Sequence, residues 1–139
     1  MNKEVRPLGI KIPAFNLQEM LVVLVIIGVL VLIALPNLMP LIAKAKSTEA
    51  QLQLKHLYHT QRNYFLMHAA YSTQFDDLGF EPPANTTQGG KAHYEYRILS
   101  ASNTAFKARA TAVSDFDGDG VLNVWEIDQE QDLKEIVKD

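Results

Sequence analysis

The chain has no cysteine, so no disulfide braces its fold and the redox compartment stays undecided. It also lacks a glycine-rich phosphate loop and the Gly-x-Ser-x-Gly turn that presents a nucleophilic serine. Of its four histidines, His56 and His59 could share a helix face, but His68 falls about 180° from His59. This spacing argues against a three-histidine metal site, and His93 has no evident partner. The sequence therefore predicts that the protein is not an enzyme.

Charge is also scarce, and its distribution is uneven. The 139 residues carry a net charge of −3, and their leader, residues 1–14, contributes +2. Without that leader the net charge is −5, which argues against general nucleic-acid binding. Positive charge beside an apolar segment favours the cytoplasmic side of a membrane, so the leader's charges predict an amino terminus that lies inside. Lys44 and Lys46, just after the apolar segment, favour the opposite orientation, so charge alone leaves the orientation open.

One long apolar run, from Ile12 to Pro40, dominates the first part of the chain. The 22 residues from Leu17 to Leu38 would form a helix roughly 33 Å long, enough to cross a hydrocarbon core of about 30 Å. An ordinary secretory signal has a shorter apolar core followed by a small-residue cleavage site, which the end of this run does not offer. Glu19 is the single charge in it, at a cost of about 2.5 to 3.5 kcal/mol inside a membrane. Glu19 is therefore expected either to stay hydrated at the interface or to meet a cation.

Residues 15–21, FNLQEML, follow a short basic leader and a small residue, and they lead into the apolar helix. This arrangement resembles the class III signal of type IV prepilins, the precursors of type IV pilins and of the pseudopilins of type II secretion systems. The resemblance implies cleavage between Ala14 and Phe15 by prepilin peptidase, followed by N-methylation of Phe15. The new ammonium of Phe15 would lie one helical turn from Glu19. Two departures from the pattern are Ala14, where the family usually has glycine, and Asn16-Leu17-Gln18 in place of the more usual Thr-Leu-Ile.

Two residues weaken the helix inside the apolar run, Gly28 and Pro36. Pro36 has no amide hydrogen to give to the carbonyl of Leu32, so a kink is the simplest expectation. The resemblance adds that pilin subunits often lose helical structure between such a glycine and proline on entering the filament. Glu19, Gly28 and Pro36 are therefore the predicted assembly residues.

The remaining hundred residues predict a small α+β head. An amphipathic helix is expected from Leu41 to about Tyr71, followed by an irregular loop to Gln88, anchored by Tyr71, Phe75, Leu78 and Phe80. Alternating segments predict an antiparallel sheet with strands at Ala92–Leu99, Thr104–Val113, Val121–Ile127 and Leu133–Val137. A long amino-terminal helix, half membrane-embedded and half amphipathic, packed on this sheet is the pilin fold that the resemblance implies.

An Asp-rich stretch, residues 115–126, matches the pattern of a calcium-binding loop. The candidate ligands are Asp115, Asp117, Asp119, the carbonyl of Val121, and Asn123. Glu126 is a weaker candidate, because an extended chain would carry it roughly 20 Å from Gly120. The alternative is a tight hairpin turn without an ion. The resemblance to major pseudopilins, some of which have calcium-stabilised loops, favours the calcium-binding loop.

We therefore predict three parts: a leader at 1–14, a membrane and filament-core helix at 15–40, and a head at 41–139. The predicted function is that of a structural subunit of a type IV pilus or a type II secretion pseudopilus. Its expected partners are further copies of itself or other pilins, prepilin peptidase and the inner-membrane assembly machinery. The subunit would cross the inner membrane once before entering a periplasmic or extracellular filament. The alternative is an uncleaved single-pass protein that presents a calcium-binding module; an intact mass separates the two.

Overall fold

The computed structural model describes residues 15–139, so the leader and Ala14 lie outside the described residues. The first helix, α1, spans Leu17–His68. It contributes to two compact units, of which the first ends at Pro36 and the second is Asn37–Asp139.

In the first unit, α1 is apolar on all sides. Its mean hydropathy reaches 3.0, and none of the most apolar window is buried inside the chain. A helix that is hydrophobic all round needs an apolar environment supplied from outside, either lipid or other protein. Among the described residues, α1 is the one helix long and apolar enough to cross a membrane.

In the second unit, α1 becomes amphipathic. Its buried residues recur every three or four positions: Ala43, Ser47, Ala50, Leu54, Leu57 and Gln61. This spacing places them on one face, as the pattern predicts. The helix ends at His68, slightly earlier than expected, because Ala69 adopts a positive φ of 55°. His68 is exposed and lies against the ring of Tyr64, so it does not belong to the buried face.

The loop after α1 is held by polar contacts as well as by the predicted anchors. The buried Gln61 amide donates to the Ser72 carbonyl and accepts from the Ser72 N–H, which replaces lost water contacts on both sides. A short helix, α2, follows at Phe75–Leu78. Asn85 caps a 3-10 turn at Thr86–Gln88. Leu78 and Phe80 are buried as predicted.

The sheet has four antiparallel strands in the order β1-β2-β3-β4. They are β1 Tyr94–Ala101, β2 Phe106–Ala112, β3 Val124–Asp128 and β4 Leu133–Val137. These bounds fit the four predicted strands, and the long helix with its small antiparallel sheet confirms the predicted α+β pilin fold.

Small residues on β2 decide how closely the helix packs. Ala108, Ala110 and Ala112 are buried at alternate positions, so all three point to the same face of the sheet. Leu54 and Leu57 of α1 belong to the same core cluster. Short side chains on the sheet leave room for these leucines in the shared core.

Two buried tyrosines of β1, Tyr94 and Tyr96, are expected to make the free energy of unfolding depend on pH under alkaline conditions. Burial raises the pKa of Tyr94 and of Tyr96 well above the usual value, and the Glu49 carboxylate adds to both shifts. Because the folded-state pKa lies above the unfolded one, this stabilisation is complete below pH ~10 and is lost as the pH rises further. We expect the free energy of unfolding to fall by about 1.4 kcal/mol per pH unit for each tyrosine.

Urea titrations between pH 8 and 11.5, followed by circular dichroism, measure this slope. Tyr94→Phe should remove part of it, whereas Tyr64→Phe, at a half-exposed site on α1, should leave it unchanged. A free energy of unfolding that stays constant across this range would contradict the prediction.

Candidate functional site

The amino-terminal site lies at the start of α1. Phe15 precedes the helix and is 84% exposed. The Glu19 carboxylate accepts a hydrogen bond of 2.8 Å from the Asn16 N–H, one of the donors that a helix start leaves unpaired. The positive end of the helix dipole also favours a carboxylate in the first turn. The sequence analysis did not foresee the Asn16 N–H as a partner of Glu19.

Gly28 and Pro36 both lie within α1, which is helical throughout this segment. A Cβ added at Gly28 would meet no atom within 4 Å, so packing within this chain does not require glycine there. The predicted loss of helical structure on assembly stays a prediction for the filament.

The Asp-rich turn brings three predicted ligands together. Asp115 accepts hydrogen bonds of 2.6 Å from the N–H groups of Gly118 and Gly120, which both adopt a φ of 87°. This left-handed conformation favours glycine at both positions. Candidate ligand oxygens of Asp115, Asp117 and Asp119 all lie within 4.8 Å of one another.

Asp139 is a fourth member of this cluster, and the sequence analysis missed it. Its carboxylate accepts hydrogen bonds from the Phe116 N–H at 2.9 Å and the Asp117 N–H at 3.2 Å. β4 runs antiparallel to β3, so residues after β4 return to the turn that precedes β3. An antiparallel pairing of the last two predicted strands could have revealed this neighbour.

The pKa values of Asp115 and Asp117 are shifted in opposite directions. Backbone N–H groups of Gly120 and Gly118 hold the pKa of Asp115 below its usual value. Desolvation raises the pKa of Asp117, and the charges of Asp119 and Asp139 raise it further. Repulsion among neighbouring carboxylates is the situation that a bound cation relieves.

Val121 and Asn123 are the next two predicted ligands. Val121 is exposed, and its N–H donates to Asp119. Asn123 is buried: its amide oxygen accepts a 2.7 Å hydrogen bond from the Tyr94 hydroxyl, and its amide nitrogen donates to Glu135. Asn123 therefore holds β3 in place, and the structure does not bring it into the cluster.

Glu126 also lies apart from the cluster, on β3. Its carboxylate accepts a 2.8 Å hydrogen bond from Arg109 Nε, and its second oxygen is 3.8 Å from Lys107. This position on β3 agrees with the expectation that an extended chain carries Glu126 too far from Gly120 to bind the same ion.

Phe116 connects the turn to the rest of the head. Its ring is buried, with the Tyr94 ring 5.7 Å away between centroids and the Lys46 ammonium 4.4 Å from its centroid. His93, which had no partner in the sequence analysis, receives one here: its Nδ1 lies 3.0 Å from the Glu49 carboxylate. Contacts from both α1 and β1 thus fix the turn.

No family model matches the chain. The chain is 35% identical over 88 residues to the type IV major pilin protein PilA of Myxococcus xanthus (strain DK1622). The match covers 63% of this chain and 37% of that relative, so the chain spans well under half the length of the pilin it resembles. In its apolar amino-terminal helix and in this sequence similarity, the chain is similar to a type IV major pilin.

Proposed function

We propose that this chain is a structural subunit of a type IV pilus, anchored in a membrane by α1 before it enters a filament. The observation that carries this proposal is the first unit of α1, whose apolar side chains are exposed on every side. Such a surface is stable in lipid or against the same surface of other subunits. A role in assembly needs no catalytic group, and the similarity to a pilin supports a structural role.

The finer steps of this proposal follow from the prepilin-like signal. Prepilin peptidase cleaves between Ala14 and Phe15, Phe15 is methylated, and its amine pairs with Glu19. Before cleavage the amino terminus lies in the cytoplasm and the chain crosses the inner membrane once. Assembly machinery in that membrane then transfers the subunit into a periplasmic or extracellular filament.

The mass of the intact subunit, extracted from native membranes, tests the processing step. We expect a mass that lacks residues 1–14 and carries one additional methyl group on Phe15. A full-length mass would contradict the proposal and favour the uncleaved single-pass protein.

A type II secretion pseudopilus is the second candidate, supported by the Asp-rich turn. Purified filaments that contain this chain at the cell surface support the pilus, whereas loss of protein secretion on deletion supports the pseudopilus.

We further propose that the Asp-rich turn binds calcium. Calcium takes six to eight oxygen ligands at about 2.3 to 2.6 Å, so two ligands on opposite sides of one ion lie up to about 5 Å apart. The candidate oxygens of Asp115, Asp117, Asp119 and Asp139 fit within this span. Carboxylate oxygens are the ligands that calcium prefers, and the exposed side of the turn leaves room for water to complete the shell.

Calcium should therefore raise the melting temperature of the full chain in detergent micelles. At a free calcium concentration of about 100 Kd, the added stability is about 2.7 kcal/mol, which corresponds to an increase of about 10 °C. Asp117→Ala should remove the increase, while Asp76→Ala, which removes an exposed carboxylate of α2, should preserve it. Identical melting curves with calcium and with chelator would contradict the site.

A further inference from the structure

A groove lies between the amphipathic part of α1 and the neighbouring edge of the sheet, within the second unit. Its volume is about 410 Å³. Charged and polar groups line it together with one aromatic ring: Lys44, Gln51, Trp125, Glu135, Lys138 and Asp139. We call it the Trp125 groove. Of these residues, only Asp139 belongs to the Asp-rich cluster, and the prepilin-like signal includes none of them.

The Trp125 groove contains charged groups of both signs, and several of them can form further hydrogen bonds or ion pairs. Within residues 15–139, the ammonium groups of Lys44 and Lys138 form no ion pair. Glu135 accepts one hydrogen bond, from Asn123 to Oε1, which leaves its second oxygen available. The Trp125 Nε1 is buried from solvent and has no hydrogen-bond partner among residues 15–139.

The position along the chain indicates where such an occupant would come from. Leu38, Leu41 and Ile42 are exposed apolar residues that lead directly to Lys44. When α1 lies in a membrane, this is where hydrocarbon gives way to phospholipid headgroups. Lysine and tryptophan are favoured at that boundary, because each combines an apolar body with a polar tip.

We propose that the Trp125 groove binds the headgroup of a zwitterionic phospholipid with a primary amine, phosphatidylethanolamine. Lys44 and Lys138 face its phosphate, and Glu135 accepts from its ammonium. A purely anionic headgroup would leave Glu135 facing a phosphate without a cation. A choline headgroup has no N–H to donate to a carboxylate. Charges of both signs in one groove therefore favour the ethanolamine headgroup.

The single tryptophan of the chain is a built-in reporter for this site. The full-length chain in neutral detergent micelles, at fixed calcium, is titrated with dihexanoyl phosphatidylethanolamine while Trp125 emission is recorded. We expect a saturable change, with binding at least about tenfold weaker for the choline and glycerol headgroups and for inorganic phosphate. No saturable change, or an equal response to any of these three, would overturn the proposal.

Matched variants on β4 and just after it locate the effect. Lys138→Gln should weaken binding at least about tenfold, and it breaks no ion pair among the described residues. Lys134→Gln is the control, because the Lys134 ammonium is already paired with Asp132. Equal weakening by both variants would reveal a general surface-charge effect and overturn the site. The inference rests on membrane anchoring by α1 but not on assembly, so lipid binding can fail while filaments form at normal yield.

Discussion

Replacing Glu19 by alanine is expected to abolish filament assembly while the subunit stays in the membrane. The apolar part of α1 is unchanged by this substitution, and removing a charge lowers the cost of insertion. Under the proposed processing, what is lost is the carboxylate that would pair with the new amine of Phe15. A hydrogen bond to a charged group contributes about 1.5 to 3 kcal/mol, which is a tenfold or greater change in an equilibrium. Filament growth repeats this contact at every subunit, so the effect on yield is large.

Glu19→Gln separates the two roles of this side chain. Glutamine keeps an oxygen that accepts from the Asn16 N–H but removes the charge. If pairing with an amine drives assembly, Glu19→Gln resembles Glu19→Ala; if the cap on the helix start suffices, it resembles the unmodified chain. Gln18→Ala, at the neighbouring exposed position, is the control and should assemble normally. Electron microscopy of sheared filaments and immunoblots of the membrane fraction provide the two measurements. Normal filament yield from Glu19→Ala would contradict the pairing.

The architecture could be predicted from the sequence because its signals are local. An uninterrupted apolar run, a spacing of three and four, and alternating segments each depend on neighbours a few residues apart. The observed end of α1, His68, lies three residues before the predicted end, about Tyr71. The positive φ at Ala69, which ends the helix, depends on how the chain enters the loop. Asp115, Asp117 and Asp119 meet in one turn for the same reason of proximity.

The rest of the site depends on contacts between distant segments. Asp139 joins the cluster only because β4 returns beside β3. Glu49 and His93 are 44 residues apart in the sequence and meet only when the sheet packs on α1. Asn123 matched a ligand position by spacing alone, but the Tyr94 hydroxyl across the core binds its amide. A motif describes which side chains are near along the chain, whereas tertiary packing decides where each one points.

Phe106→Ala is expected to cause the largest loss of stability in the head. The Phe106 ring is buried where three segments meet: its centroid lies 5.0 Å from that of Tyr71 in the loop and 6.2 Å from that of Tyr58 on α1. Truncating a buried phenylalanine to alanine costs about 3 to 5 kcal/mol, because apolar contacts are lost and a cavity remains. Typical domains have only about 5 to 15 kcal/mol in total, so this is a large share.

Urea unfolding in detergent micelles, followed by Trp125 emission, measures this loss. Trp125 lies on β3, the strand that pairs with β2, which carries the substitution. Leu99→Ala is the matched control, since Leu99 occupies the irregular position of β1 and is 44% exposed. Surface substitutions of this kind change the free energy of unfolding by about 0.5 kcal/mol or less. If Phe106→Ala lost no more stability than Leu99→Ala, the ring would not join helix, loop and sheet. Trp125 lies on β3, whereas Phe106 lies on β2. A large loss reported by Trp125 would therefore show that α1, the loop and the sheet unfold together.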